Sequence, residues 1–231
     1  MTLRLIKIES TPDLVEQVYS NLLDAISDGS LAPGARIGQE DIAAQLAVSR
    51  QPVLQALRLL RKDGFVLDAP GRGVLVAPLN VAWLVQIYQV RSALDALAAR
   101  LAAQVHYQID PFLISSGRQA ARGTDVKLMM VADAKFHAAI YAGSGNPLIA
   151  QTAQLHWNHI RRAMGAVLLV STMRESIWDE HEAIAQAIAN GDEDRAASLI
   201  HQHSEDASHN LANLLSNVLN PKTIAIKGAT S

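Results

Sequence analysis

The chain contains no cysteine. That absence excludes disulfides, thiolate metal sites and a cysteine nucleophile, and it accords with a reducing compartment. No uninterrupted apolar run reaches membrane-spanning length, and the opening segment MTLRLIKIES lacks an apolar stretch of signal-peptide length. Nor is there an excess of either charge: 20 Lys and Arg stand against 22 Asp and Glu, for a formal net charge of −2. The protein is therefore no polycation, and any nucleic-acid footprint must be local. No internal repeat is visible. The expectation is a soluble cytoplasmic protein whose 231 residues hold one small and one medium domain.

A local absence is more informative. From Ala43 through Lys62 there is no acidic residue, while Arg50, Arg58, Arg61 and Lys62 are basic. The surrounding segment, QEDIAAQLAVSRQPVLQALRLLRKDGFVL from Gln39 to Leu67, reads as two short helices joined by a tight turn at Ala47-Val48. Ile42, Ala43 and Leu46 form an apolar face on the first helix, and Val53, Leu54, Leu57 and Leu60 recur at helical spacing on the second. Ser49 stands where an N-cap belongs, and Pro52 falls in the first turn, where its missing N–H costs little. This is the period of a helix-turn-helix, whose second helix can enter a major groove. An ordinary helical hairpin with a solvated basic face has the same period. The residues after the second helix favour the first alternative: Phe65-Val66-Leu67 and Val74-Leu75-Val76 are strand-like and flank the turn Asp68-Ala69-Pro70-Gly71-Arg72-Gly73, as a basic-tipped wing would.

Residues 10–78 resemble the winged helix-turn-helix of the GntR family of bacterial transcription regulators. The motifs are the helix LVEQVYSNLLDAISDGSLAPGARI, the VSRQPV opening of the second helix, ALRLLRKDGFV, and the wing PGRGVLV. Leu14, Val15, Val18, Leu22, Leu23 and Ile26 give the first of these its apolar stripe, with Pro12 near its start and Gly29 as its stop. The resemblance implies operator DNA as partner. Gln39, Ser49, Arg50, Gln51 and Gln55 are then candidates for groove contacts, and Arg36, Arg58, Arg72 and Gly73 for backbone contacts. A solvated face serves equally for Arg58 and Arg61. The family commonly has Arg-Glu where this chain has Leu54-Gln55, which removes one contact able to read a guanine edge or grip a phosphate.

Beyond Ala77-Pro78-Leu79-Asn80 the pattern changes to Ala and Leu at helical spacing, broken at Asp110-Pro111, Gly123, Gly143 to Pro147 and Gly191. The expected fold is mainly α: the winged unit, then an all-α antiparallel helical bundle over 79–219 and a loose tail over 220–231. Asp133 and His137 are four positions apart in VADAKFHAAIYA and so share a helix face. His181 begins HEAIAQAIA, and His203 lies 22 positions later. Three imidazoles and a carboxylate converging in a bundle suit Zn²⁺ first, then Ni²⁺ or another divalent ion, with positions left open. An Asp-x-x-x-His pair is also a common coincidence. The other histidines, His106, His156, His159, His201 and His209, read as hydrogen-bonded core or surface residues, with His156 or His159 able to orient a ligand.

IYQVRSALDALAARLAA, DAKFHAAIYAGSGNPLI, DEHEAIAQAIANGD and AASLIHQHSEDA resemble successive signatures of the FCD domain, the effector-binding bundle of the FadR-like GntR branch. Its metal-binding members use an aspartate, a histidine one turn later and two further histidines, which fall on Asp133, His137, His181 and His203. The resemblance implies a homodimer and a small carboxylate or hydroxy-acid effector, with Arg91 beside the pocket as its guanidinium partner. A salt bridge at the surface or between domains is the other role open to Arg91. Asp95 replaces the family's usual Glu without evident consequence, and residues 106–124 match poorly. The conclusion is a regulator, not an enzyme. The alternatives are a metal-dependent hydrolase or lyase, against which no extra carboxylate stands placed as a base, Glu180 and Glu182 being expected to point away, and a dimerisation bundle with a purely structural metal.

Overall fold

The computed structural model describes residues 14–71, 73–167 and 175–220. Contacts divide the chain into two compact units, one ending at Pro78 and the next beginning at Leu79. Arg72, Pro12 and the expected tail from Pro221 onward lie outside the described residues.

In the first unit, helix α1 (Leu14–Ser27) buries Val18, Leu22, Leu23 and Ile26, while Leu14, expected in the same stripe, is 47% exposed at the first helical position. Helix α2 (Gln39–Gln45) leads through Ala47, whose φ of 52° makes the tight turn, into helix α3 (Arg50–Lys62). Helix α3 turns Val53, Ala56, Leu57 and Leu60 onto α1 and leaves Leu54 half-buried. Ser49 has the extended backbone of a cap residue, but its hydroxyl makes no capping hydrogen bond. The wing differs from a two-stranded hairpin. Strands β1 (Arg36–Ile37), β2 (Val66–Asp68) and β3 (Val74–Val76) form an antiparallel sheet in the order β1-β3-β2, with Leu75 opposite both Arg36 and Leu67. A strand of two residues is too short to show alternation, so β1 is silent in the sequence.

The second unit consists, among its described residues, of helices α4 (Val81–Gln104), α5 (Pro111–Arg122), α6 (Val126–Gly143), α7 (Pro147–Val167), α8 (Ile177–Ala189) and α9 (Glu193–Leu219). Four starts are fixed by side-chain caps: Asn80, Asp110, Asp125 and Asp192 each accept from a backbone N–H of the first turn. Gly165 is carried inside α7 without ending it. Helix α4 packs on α6, α7, α8 and α9. Its alanines Ala98, Ala99 and Ala102 share an apolar cluster with Ala196 and Ile200 of α9, and its Leu84 and Ile87 share another with Leu211 and Leu215. Early residues of one helix thus meet late residues of the other, as antiparallel packing requires. Between the two clusters runs a buried polar layer made of Arg91, Ser92 and Asp95 of α4, His137 of α6, His181 of α8, and His203 and Ser204 of α9.

Gly117, in the middle of α5, is explained by that packing. A Cβ there would stand 2.0 Å from the indole of Trp178 on α8. The indole in turn lies edge-on to His181, at 4.6 Å between ring centroids. Alanine is the better helix former by about 1 kcal/mol, yet Gly117→Ala is expected to destabilise the protein by about 1–3 kcal/mol through overpacking. Urea unfolding measures this, and an unchanged or raised midpoint would contradict the role given to Trp178.

Candidate functional site

Asp133 and His137 lie a turn apart on α6, and the antiparallel α8 and α9 bring His181 and His203 to the same place. One donor atom from each of the four lies within 4.8 Å of all the others. His181 Nε2 is 3.3 Å from His203 Nε2 and 3.5 Å from Asp133 Oδ1. The three imidazoles are buried, and the Asp133 side chain keeps 18% of its surface exposed. Ring packing sets the orientation of His181: Phe136 stacks on it at 4.1 Å, and Trp178, itself edge-on to Phe136, meets it edge-on at 4.6 Å.

The electrostatics of this group favour a cation. Burial pushes His137 well below the usual imidazole range, with the Arg91 charge and its histidine neighbours adding to the effect. Burial does the same to His181, aided by His203 and Arg91. Both are therefore neutral near pH 7, the form that offers a lone pair to a metal. Burial raises Asp133, against the pull of Arg91 and His203, so its ionised form lacks sufficient positive charge nearby. The Nδ1 atoms of His137 and His181 make no hydrogen bond. Three imidazoles and a carboxylate that disfavours ionisation without a cation fit a divalent ion.

Two residues outside the quartet matter, and neither was legible as such. Glu180 was expected to point away from His181. Instead its Oε2 accepts from Nδ1 of His203 at 2.7 Å. Consecutive side chains diverge on one helix, but His203 approaches from α9 and the long glutamate reaches it. With a carboxylate on Nδ1, the Nε2 of His203 carries its lone pair toward the quartet. Glu182 does turn outward, to Arg118 at 2.8 Å. Asp95, where a substitution for Glu carried no evident consequence, is the hub of the buried layer. It is completely buried and takes the Arg91 guanidinium at 3.3 Å, the Tyr141 hydroxyl at 2.5 Å and the Ser204 hydroxyl at 3.3 Å.

Arg91 is not a surface residue. It is buried within the bundle, ion-paired to Asp95 and stacked over Trp157 at 5.0 Å. Burial alone would lower its pKa, but the attraction of Asp95 and other neighbours outweighs that and keeps it charged. A cavity of about 280 Å³ is lined by Arg91, Asp133, His137 and His203. A second, of about 370 Å³, shares Arg91 and His137 with it and is otherwise walled by α6 and α7. His201, read as an ordinary histidine, meets the Ser92 hydroxyl at 2.6 Å, and His159 lies edge-on to Trp83.

In the first unit, Ser49, Arg50, Gln51, Gln55 and Arg58 are all exposed, and Gln51, Gln55 and Arg58 share one face of α3 at four- and three-residue spacing. Arg50 pairs with Glu40 at 2.9 Å, but both side chains are about 70% exposed, so the pair is readily exchanged for another partner. Arg61 pairs with Asp68 at 2.9 Å. Arg36, Gln39 and Gly73 line one depression where β1, the start of α2 and the wing meet. Arg36 donates to the Pro70 carbonyl at 2.6 Å, which ties β1 to the wing loop. Gly73 has a φ of 94°, and a Cβ there would stand 3.1 Å from the Ile37 carbonyl oxygen.

Among the described residues no helix is long and apolar enough to cross a membrane. Residues 14–76 match the family described as bacterial regulatory proteins, gntR family, and residues 86–206 match the FCD domain. The Nta operon transcriptional regulator of Aminobacter aminovorans is 28% identical over 74% of this chain and 81% of its own. The gluconate operon transcriptional repressor of Bacillus subtilis is 24% identical over 82% of this chain and 81% of its own. The structure of E. coli McbR/YncC superposes with a TM-score of 0.74 at 21% identity, covering 89% of this chain and 99% of that one, and so shares the fold. These relatives are transcription regulators rather than enzymes. This chain belongs to the GntR family of bacterial transcription regulators, with an N-terminal helix-turn-helix unit followed by a helical FCD domain.

Proposed function

We propose that this regulator is a cytoplasmic homodimer whose affinity for operator DNA is set by a small carboxylate or hydroxy-acid bound at a divalent ion, Zn²⁺ foremost, in the helical unit. The observation that carries this is the convergence of Asp133, His137, His181 and His203 in a buried layer that also holds one charged guanidinium. When bound there, a divalent ion offers open coordination positions to a carboxylate oxygen. Arg91, which lines the same cavity, supplies a charge-assisted hydrogen bond to that carboxylate while shared with Asp95. Glu180 holds the His203 ring in register rather than serving as a base.

Duplex contacts fall to the exposed face of α3. Arg50, Gln51 and Gln55 reach base edges, with Ser49 and Gln39 at the helix starts, while Arg36, Arg58, Arg72 and Gly73 meet the backbone. Dimerisation is supported by a surface feature. From Ala82 to Leu97 on α4, and from Pro147 to Leu155 on the adjacent α7, every exposed residue is uncharged, and Trp83 is 51% exposed. A charge-free face that exposes Trp83, Val90, Leu97, Leu148 and Leu155, on a chain with 18% charged residues, suits a self-complementary two-fold contact. An effector that favours one arrangement of the bundle then shifts the dimer between DNA-competent and incompetent states through its differential affinity for the two.

Protein purified without chelator is expected to carry close to one divalent ion per chain by elemental analysis, and the double variant Asp133→Ala with His203→Ala to carry none. Native protein that is metal-free and resists loading would remove the quartet as a metal site. Arg50→Ala is expected to weaken operator binding by about 1–3 kcal/mol if the guanidinium reads a base bidentately. An unaltered footprint and affinity would take Arg50 out of the contact set.

A further inference from the structure

We infer that the effector is amphipathic, a monocarboxylate with an apolar tail rather than a fully polar acid, which rests on the metal-centred reading of the quartet and specifies its ligand. The 280 Å³ cavity is not a compact hole around the quartet. It follows α9 from His203 through Ala207 and Leu211 to Leu214, eleven residues on, or roughly 16 Å at the rise of an α-helix. At the His203 end stand Arg91, Asp133 and His137; along the rest, Met164 and Val167 of α7 face the leucines. The slot is thus anionic-ligand chemistry at one end and hydrocarbon along its length.

The distribution of charge narrows the ligand further. Arg91 is the one cationic side chain among the described residues that line this cavity, and it lies at the quartet end. Asp206, Asn210 and Asn213 edge the slot along α9, so the charged group there is a carboxylate. Among the described residues, a second carboxylate on the ligand would find no cation in that part of the slot and one like charge. Asn210 and Asn213 could meet hydroxyls on the α9 edge only; those of a polyol turned toward Met164, Val167, Leu211 and Leu214 would be left without partners, which is costly. An alkyl or aryl tail instead removes both its own surface and theirs from water. At about 30 Å³ per water-sized group, the volume accommodates roughly nine non-hydrogen atoms.

The test is calorimetric titration of the metal-loaded full-length protein with acetate, butanoate, hexanoate, octanoate and decanoate, with gluconate and citrate as polar comparisons. Affinity is expected to tighten roughly threefold to fourfold for each added methylene, to level off near octanoate, and to exceed that for gluconate and citrate. Leu214→Asn, at a half-buried position far from the quartet, is expected to flatten the series from hexanoate onward. Its metal content, measured alongside, shows that the quartet is still formed. Affinity that is flat or falls with chain length, or gluconate or citrate binding more tightly than octanoate, overturns the inference and leaves the metal–carboxylate reading standing. No binding by any carboxylate to protein shown to hold its metal overturns both.

Discussion

The helical unit depends on the burial of one ion pair. Arg91 and Asp95 are a turn apart on α4, and both are withdrawn almost entirely from water. Such a pair is tolerable only where further hydrogen bonds meet the carboxylate, and removing one partner of a buried pair typically costs about 3–5 kcal/mol. Here Tyr141 of α6 and Ser204 of α9 donate to Asp95, and Trp157 of α7 covers the guanidinium. Four helices are therefore held in one register by a single carboxylate and its counterion. The apolar clusters on either side, around Phe136 and around Leu215, flank that layer and make the register matter.

The quartet of Asp133, His137, His181 and His203 is built onto this layer rather than beside it. His137 Nδ1 lies 3.8 Å from Asp95 Oδ2, and Ser204, which binds Asp95, is the next residue after His203 in the chain. The depressed basicity of His137 and His181 has the same origin as the strain on Asp133: charges and lone pairs are gathered where water does not compensate them. A cation relieves all three at once. In the proposed function α4 gains a double role. Arg91 faces the effector cavity on its inner side, and Trp83, Val90 and Leu97 form a charge-free stripe on its outer side. A rigid helix with the ligand on one face and the partner subunit on the other is a short physical route for coupling.

Legibility in the sequence followed the range of each interaction. The apolar faces of α1 and α3 recur every three or four residues, so the periodicity exposed them, and proline and glycine marked the breaks before α5, α7 and α9. Asp133 and His137 were visible as a pair for the same reason, and family register supplied His181 and His203. Asp95 was not visible, because its partners Tyr141 and Ser204 are 46 and 109 positions away. Glu180 was misplaced because helical geometry on α8 says where its Cβ points, not which side chain α9 will bring to meet it. Gly117 carries no signal in the sequence, because the indole of Trp178 that fills the space of its missing Cβ comes from another helix. Strand β1 left no pattern because two residues carry none.

In the proposed function, DNA binding is conditional on the site in the bundle. The most direct measurement is operator affinity, by fluorescence anisotropy, across a panel of small carboxylates with metal-loaded protein, metal-stripped protein and the Asp133→Ala, His203→Ala variant. At least one carboxylate is expected to change the affinity of the loaded protein by roughly fivefold or more, the lower end of ordinary allosteric coupling, and the other two proteins are expected not to respond. Equal operator affinity for all three proteins, with and without every carboxylate, would contradict the proposed function.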